Sequence, residues 1–199
     1  MTNVEEKLRL VRGARDPVEK ALLLAALVTG LFREAGADLV IVGGSAIEFY
    51  TEGAYMSGDI DLCRVGPREI GLRMDQDLMG RIGGTGGPRS WKVAGLFVDL
   101  LGEVESGART PFREQETPMG PVKLIQPEMA LVERVLVANY PARNAEAEAC
   151  ARKMMAVCVG GAVPVDWEEV RRLAALRDYD VAAEVERMAE EVRRELEKT

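Results

Sequence analysis

The sequence predicts an α/β protein: a mixed α/β half over about residues 1–126, then an all-helical half over about 127–199. Two observations set that division. Up to residue 126, short apolar runs at 39–42, 96–101 and 122–125 alternate with helical patterns and are separated by glycine-containing turns. From Pro127 on only helical patterns remain, punctuated by Pro141, Gly160-Gly161 and Pro164.

Each element has a local cause. Residues 3–12 read as a short charged helix. Asp16-Pro17 is an N-cap followed by proline in the first turn, so a helix runs from there to about Ala35, where Gly36 ends it. The run 39–42 is apolar throughout, which predicts a strand buried on both faces. Gly43-Gly44 turns the chain into a short helix over 45–51. A loop at 53–58 precedes a second strand at 59–64, and Pro67 opens a helix to about Met79. The glycines of 83–87, before Pro88, predict a flexible loop. Strands at 90–93 and 96–101 meet at a turn near Gly95. Residues 102–120 read as polar and irregular, 122–125 as the last strand, and 127–139, 144–158, 166–177 and 180–197 as helices.

Bulk properties bound the chemistry. The chain has 199 residues, 47% of them hydrophobic and 30% charged, as in an ordinary globular protein. The apolar run 21–28 lies between Lys20 and Arg33, too short for a membrane span of about 20 apolar residues. Glu5, Glu6 and Lys7 sit where a signal peptide would be apolar, so a cytoplasmic location with no membrane partner is expected. Cys63, Cys150 and Cys158 have no metal-ligand spacing and read as buried thiols. The absence of histidine removes Ser-His-Asp triads, Cys-His dyads and His-ligated zinc. A net charge of 26 − 33 = −7 argues against a broad nucleic-acid surface, while leaving room for a local basic groove.

The chemistry-bearing residues cluster around the second strand. Gly43-Gly44-Ser45 is either a plain strand-to-helix turn or a phosphate seat, with free N–H groups at a helix N-terminus. Asp59 and Asp61 alternate with Ile60 and Leu62, so both carboxylates share a face; two like charges there repel unless a cation such as Mg²⁺ neutralises them. Asp99 interrupts the apolar run 96–101. Either it points outward while Val98 and Leu100 point inward, or it completes a carboxylate cage with Asp59 and Asp61. A phosphate seat beside a carboxylate cage is the equipment of nucleotidyl transfer. There is no P-loop motif, and the 83–87 glycines lack the strand–turn–helix setting of a dinucleotide fingerprint.

Gly44-Ser45, thirteen intervening residues (46–58) and then Asp59-Ile60-Asp61-Leu62 resemble the signature of the nucleotidyltransferase superfamily related to DNA polymerase beta. Asp99 matches that superfamily's third acid, on a later strand. The stretch from Gln126-Pro127-Glu128 to Arg134 is similar to the helix of the small bacterial branches, which include abortive-infection and toxin–antitoxin nucleotidyltransferases. The resemblance implies a small mixed β-sheet nucleotidyltransferase core flanked by helices over 1–126, and a C-terminal helical bundle over 127–199. It also implies Asp59, Asp61 and Asp99 as catalytic acids binding two Mg²⁺ ions, with Mn²⁺ as an alternative. Gly43, Gly44 and Ser45 would grip the nucleotide phosphates, and Arg134 and Lys92 would offset charge on the departing pyrophosphate. The implied activity is transfer of an NMP from an NTP to a hydroxyl of an unknown acceptor: a protein, a small molecule or an RNA end. The alternative is a catalytically silent module of the same fold that binds a nucleotide or a partner protein, as in a toxin–antitoxin-like system. The stripe Leu173, Leu176, Val181, Val185 and Met188 is then either a docking face or internal core, and the expected partners are a protein or further copies of the chain in a homo-oligomer.

Overall fold

The computed structural model describes residues 3–65, 71–104 and 112–198. Within them the elements run α1 (Asn3–Gly13), α2 (Pro17–Glu34), β1 (Asp38–Ile41), α3 (Gly43–Tyr50), β2 (Asp59–Val65), α4 (Leu72–Arg81), β3 (Thr85–Gly86), β4 (Ser90–Val93), β5 (Leu96–Glu103), β6 (Phe112–Gln115), β7 (Val122–Ile125), α5 (Pro127–Asn139), α6 (Ala145–Val159), α7 (Trp167–Ala174) and α8 (Ala182–Leu196). The described residues fall into two compact units: 3–45, 56–65, 71–104 and 112–124 form the first, and 46–55 and 125–198 the second. The boundary cuts α3 after Ser45.

The first unit is built on one mixed sheet of seven strands among the described residues, ordered β3-β4-β5-β2-β1-β7-β6. β1 lies antiparallel to β2 and parallel to β7; β2 runs parallel to β5, which is antiparallel to β4. Leu39, Val40 and Ile41 of β1 are all buried, as a strand in the middle of a sheet requires. Ile60 and Leu62 of β2, Trp91 and Val93 of β4, and Val98 and Leu100 of β5 are buried and supply the core face. The residues alternating with them lie on the opposite face. Helix α2 packs on β1, and α1 and α4 pack against α2. Asp16 caps α2 by accepting the Glu19 N–H. Helix α4 is tied to the sheet by a buried ion pair: Arg64 Nη2 of β2 lies 2.5 Å from Asp75 Oδ2.

The second unit is helical. Helix α5 packs on α6, α7 and α8, and α8 packs on α6 and α7. Pro127 sits in the first turn of α5, where its missing N–H costs nothing. Asn144 caps α6 by accepting the N–H groups of Glu146 and Ala147, and Asp166 caps α7 from Glu168 and Glu169. Leu173, Val181, Val185 and Met188 are buried and Leu176 partly so; the stripe is internal core. The three cysteines are free and buried. Among the described residues, no helix is long and apolar enough to cross a membrane.

Three local expectations are corrected. Residues 83–87 are not a plain loop: Thr85 and Gly86 form an edge strand paired with Lys92 and Trp91. Gly86 has φ 117°, and a Cβ there would sit 2.6 Å from the Ser90 carbonyl oxygen, so this glycine permits close backbone approach. Residues 112–115, read as irregular, form β6, an edge strand too polar to carry an apolar alternation. The helix expected over 166–177 stops at Ala174, because Asp180 at φ 47° and the Val181 N–H bond back to the Ala174 carbonyl turn the chain. Helix α4 begins at Leu72; the expected start at Pro67 lies outside the described residues.

Candidate active site

Register brings the acids together. β2 and β5 run side by side with Asp59 opposite Phe97 and Asp61 opposite Asp99. Directly opposed residues project to the same face, so the three carboxylates share the face away from the core. One carboxylate oxygen from each of Asp59, Asp61 and Asp99 lies within 4.8 Å of the others, and all three residues are half-buried. The two sequence-level readings of Asp99 are therefore compatible: Val98 and Leu100 enter the core, and Asp99 turns to the opposite face where the other acids stand.

The turn after β1 is fastened to the same strand. The Val42 N–H donates to the Asp61 carbonyl oxygen at 3.0 Å. The Ser45 hydroxyl donates to the Val42 carbonyl oxygen at 2.9 Å and accepts the Asp61 N–H at 3.0 Å. Ser45 is buried and its hydroxyl is used inside the protein, holding the turn against β2. Gly43 has φ 60°, and a Cβ on it would lie 2.5 Å from Asp61 Oδ2. Only glycine satisfies both demands. Gly43, Gly44 and Ser45 are the first residues of α3, whose leading N–H groups have no intrahelical acceptor. This positive helix end sits beside the acid cluster.

Ser57 donates to Asp59 Oδ1 at 3.1 Å. Asp99 Oδ1 is buried and accepts no hydrogen bond among the described residues. A buried carboxylate oxygen without a donor is costly. A hard cation held by oxygen ligands supplies the missing partner, and it also offsets the repulsion among three carboxylates. The residues present therefore fit Mg²⁺ or Mn²⁺.

Lys92 stands on the same face, beyond β5: it lies opposite Phe97, and its Nζ is 5.7 Å from the Phe97 ring centroid. Arg134 belongs to the helical unit, on α5. Its positive charge acts on the Tyr55 hydroxyl and the Cys150 thiol, opposing the upward pull of burial on both groups. Lys153 of α6 lies 6.0 Å from the Tyr55 ring centroid and donates to the Ala54 carbonyl oxygen at 2.6 Å. Arg134, Lys153 and Tyr55 thus form a cationic cluster with a phenol. Sequence reading missed Tyr55, Ser57, Lys153 and Phe97. Only Phe97 carried a signal, since it lies two residues from Asp99 and so shares its face.

No family model and no curated protein matches the sequence. Solved structures do. An antigenic nucleotidyltransferase-like protein from Paracoccidioides brasiliensis matches with TM-score 0.58 at 14% identity, over 87% of this chain and 94% of that one. The antibiotic-resistance factor ANT(2″)-Ia, solved in solution, matches with TM-score 0.51 at 20% identity, over 83% of this chain and 95% of its own. The same factor in complex with adenylyl-2″-tobramycin gives TM-score 0.52 at 17% identity, over 78% and 95%. At such identities the likeness is one of architecture, and the architecture agrees with the register that gathers the acids: this chain has the nucleotidyltransferase fold.

Proposed function

We propose that the protein is a Mg²⁺-dependent nucleotidyltransferase that moves an NMP from an NTP to a hydroxyl of its acceptor. The observation that carries this reading is the meeting of Asp59, Asp61 and Asp99 beside the glycine turn at 43–45. The fold supports it, and so does the complex of ANT(2″)-Ia with adenylyl-2″-tobramycin, in which a protein of this architecture holds a nucleotidylated acceptor.

Asp59 and Asp61, with Asp99, would hold the metal. When bound, Mg²⁺ neutralises phosphate charge and lowers the pKa of the attacking hydroxyl. The leading N–H groups of α3, at Gly43, Gly44 and Ser45, receive the phosphates that leave. Ser45 acts through its hydroxyl on the protein itself, fixing the turn to the backbone of Asp61. Asp99, whose carboxylate stands with those of Asp59 and Asp61, takes the proton of the acceptor hydroxyl. The acceptor oxygen forms a bond to the α-phosphorus as the bond to the β-phosphate bridging oxygen breaks, and pyrophosphate departs. The resemblance gives Arg134, on α5, as a cation for that pyrophosphate.

The test uses NTPs labelled at the α or the γ phosphate. The reading expects the α label, and never the γ label, to pass to an acceptor, with transfer abolished in Asp59→Asn. Mg²⁺-dependent nucleotide binding without transfer to any acceptor would instead identify a silent binding module.

A further inference from the structure

We infer that the groove between α1 and α2 binds a medium-chain aliphatic carboxylate, with its chain on Leu10, Leu23 and Pro118 and its head group at Arg15 and Arg9. The site needs neither metal nor nucleotide, and every residue of it belongs to the first unit.

The groove follows from how the chain turns. α1 ends at Gly13 and α2 begins at Pro17, capped by Asp16, so the chain passes from one helix to the next over residues 14–16. α1 packs on α2, and its buried residues are Leu8 and Val11. Leu10 lies beside that stripe and is 50% exposed, with no core to fill. Leu23 of α2, which is buried, and Pro118 of the β6–β7 connection complete an apolar wall. The groove has a volume of about 530 Å³. At ~30 Å³ for each water-sized atom, it holds on the order of fifteen non-hydrogen atoms, the size of a small ligand. Gly13 also lines it. A Cβ on Gly13 would meet no atom within 4 Å outside its own helix backbone and chain neighbours, so this part of the wall faces open space.

Charge selects the head group. The charged side chains on the rim are Arg9, Arg15 and Glu19. Two cations against one anion leave the lining positive, on a chain whose net charge is −7. The Arg15 guanidinium has no ion-pair or hydrogen-bond partner among the described residues. A single negative charge balances this rim, whereas a phosphate dianion would bring a surplus charge up to Glu19. A carboxylate also accepts two parallel N–H bonds from one guanidinium. Hydrophobicity selects the body. Leu10, Leu23 and Pro118 have no side-chain donor or acceptor, so a polar body would lose its hydration there without replacement. A saturated chain gains by leaving water. An extended peptide would bring backbone N–H groups to the same wall, where the Leu10 carbonyl already accepts the Ala14 N–H at 3.1 Å. A free carboxylate with an aliphatic chain satisfies the wall and the rim together.

The test is calorimetric titration of the full chain with decanoate, without Mg²⁺ or nucleotide and below the concentration at which decanoate forms micelles. The wild type should bind one decanoate per chain and melt at a higher temperature in its presence. Decylamine, the same chain with the opposite charge, should bind about tenfold more weakly or worse. Arg15→Gln should weaken decanoate about tenfold. Leu10→Ser should weaken it several-fold. Gly13→Phe should fill the groove from its open wall and abolish binding, while melting no lower than the wild type. Arg193→Gln, at an exposed arginine of α8, should leave decanoate binding unchanged. Equal binding of decanoate and decylamine would show adsorption to apolar surface alone and overturns the site. Decanoate binding that survives both Arg15→Gln and Gly13→Phe overturns it as well, as does a titration that never saturates. Tighter binding of a blocked Glu-Leu-Glu-Leu-Glu peptide, lost in the same two variants, would make the groove a protein-docking site and overturns the carboxylate.

Discussion

Gly43 and Asp61 fit together only because residue 43 has no side chain: a Cβ there would lie 2.5 Å from Asp61 Oδ2. Gly43→Ala must therefore displace the Asp61 carboxylate, and it also strains a backbone held at φ 60°. Mn²⁺ binding followed by electron paramagnetic resonance should weaken, α-phosphate transfer should fall on the order of a hundredfold or more, and stability should drop by about 1 kcal/mol. Wild-type metal binding in this variant would show that Asp61 is not a ligand.

The three carboxylates repel one another when no cation is present, since their oxygens lie within 4.8 Å. Removing one charge with Asp99→Asn should raise the melting temperature of the metal-free protein. Adding Mg²⁺ should stabilise the wild type by about 2.7 kcal/mol at a hundred times its dissociation constant. The same addition should do little for Asp59→Asn, Asp61→Asn or Asp99→Asn. Calorimetric melts with and without Mg²⁺ check both statements; equal Mg²⁺ shifts in all four proteins would contradict them.

Glu133 on α5 has its carboxyl pushed up from 4.5 to about 7 by burial, with the neighbouring Arg134 pulling the other way. The folded protein thus holds a proton there that the unfolded chain has released. The favourable contribution is complete below the unfolded value and is lost as pH rises through the folded one. Stability should fall between about pH 4.5 and pH 7, by up to about 3 kcal/mol from this group. Glu133→Gln should remove that slope in denaturant titrations run at pH 5 and pH 8. A slope unchanged by the substitution would assign it to other groups.

Arg64 and Asp75 form an ion pair in which Asp75 is 1% exposed. Arg64→Met leaves a buried carboxylate without its partner, which costs about 3–5 kcal/mol. The double variant Arg64→Met/Asp75→Leu should recover most of that loss. Urea unfolding of the single and double variants measures the difference.

Much of this was legible in order along the chain. Asp16-Pro17 and Pro127 are cap and first-turn residues whose effect is local, so α2 and α5 lie where the sequence places them. The alternation of Asp59 and Asp61 with Ile60 and Leu62 predicts their common face by the same logic. The edge strands β3 and β6 were not legible, because an edge is defined by its neighbour and β6 is nearly all polar. The buried hydroxyl of Ser45, which bonds Val42 and Asp61, was equally invisible.

By itself the sequence determined which residue types are available for chemistry: no histidine, a small-residue turn, and acids at 59, 61 and 99. It also determined the side of its own strand from which each acid projects, since backbone pleating is a property of neighbouring residues. Only the tertiary structure decided that Asp99 stands opposite Asp61, and that Phe97 and Lys92 lie in line with Asp59. Those relations depend on strand pairing across dozens of residues, and pairing register is set by the packing of the whole core face, which no local pattern contains.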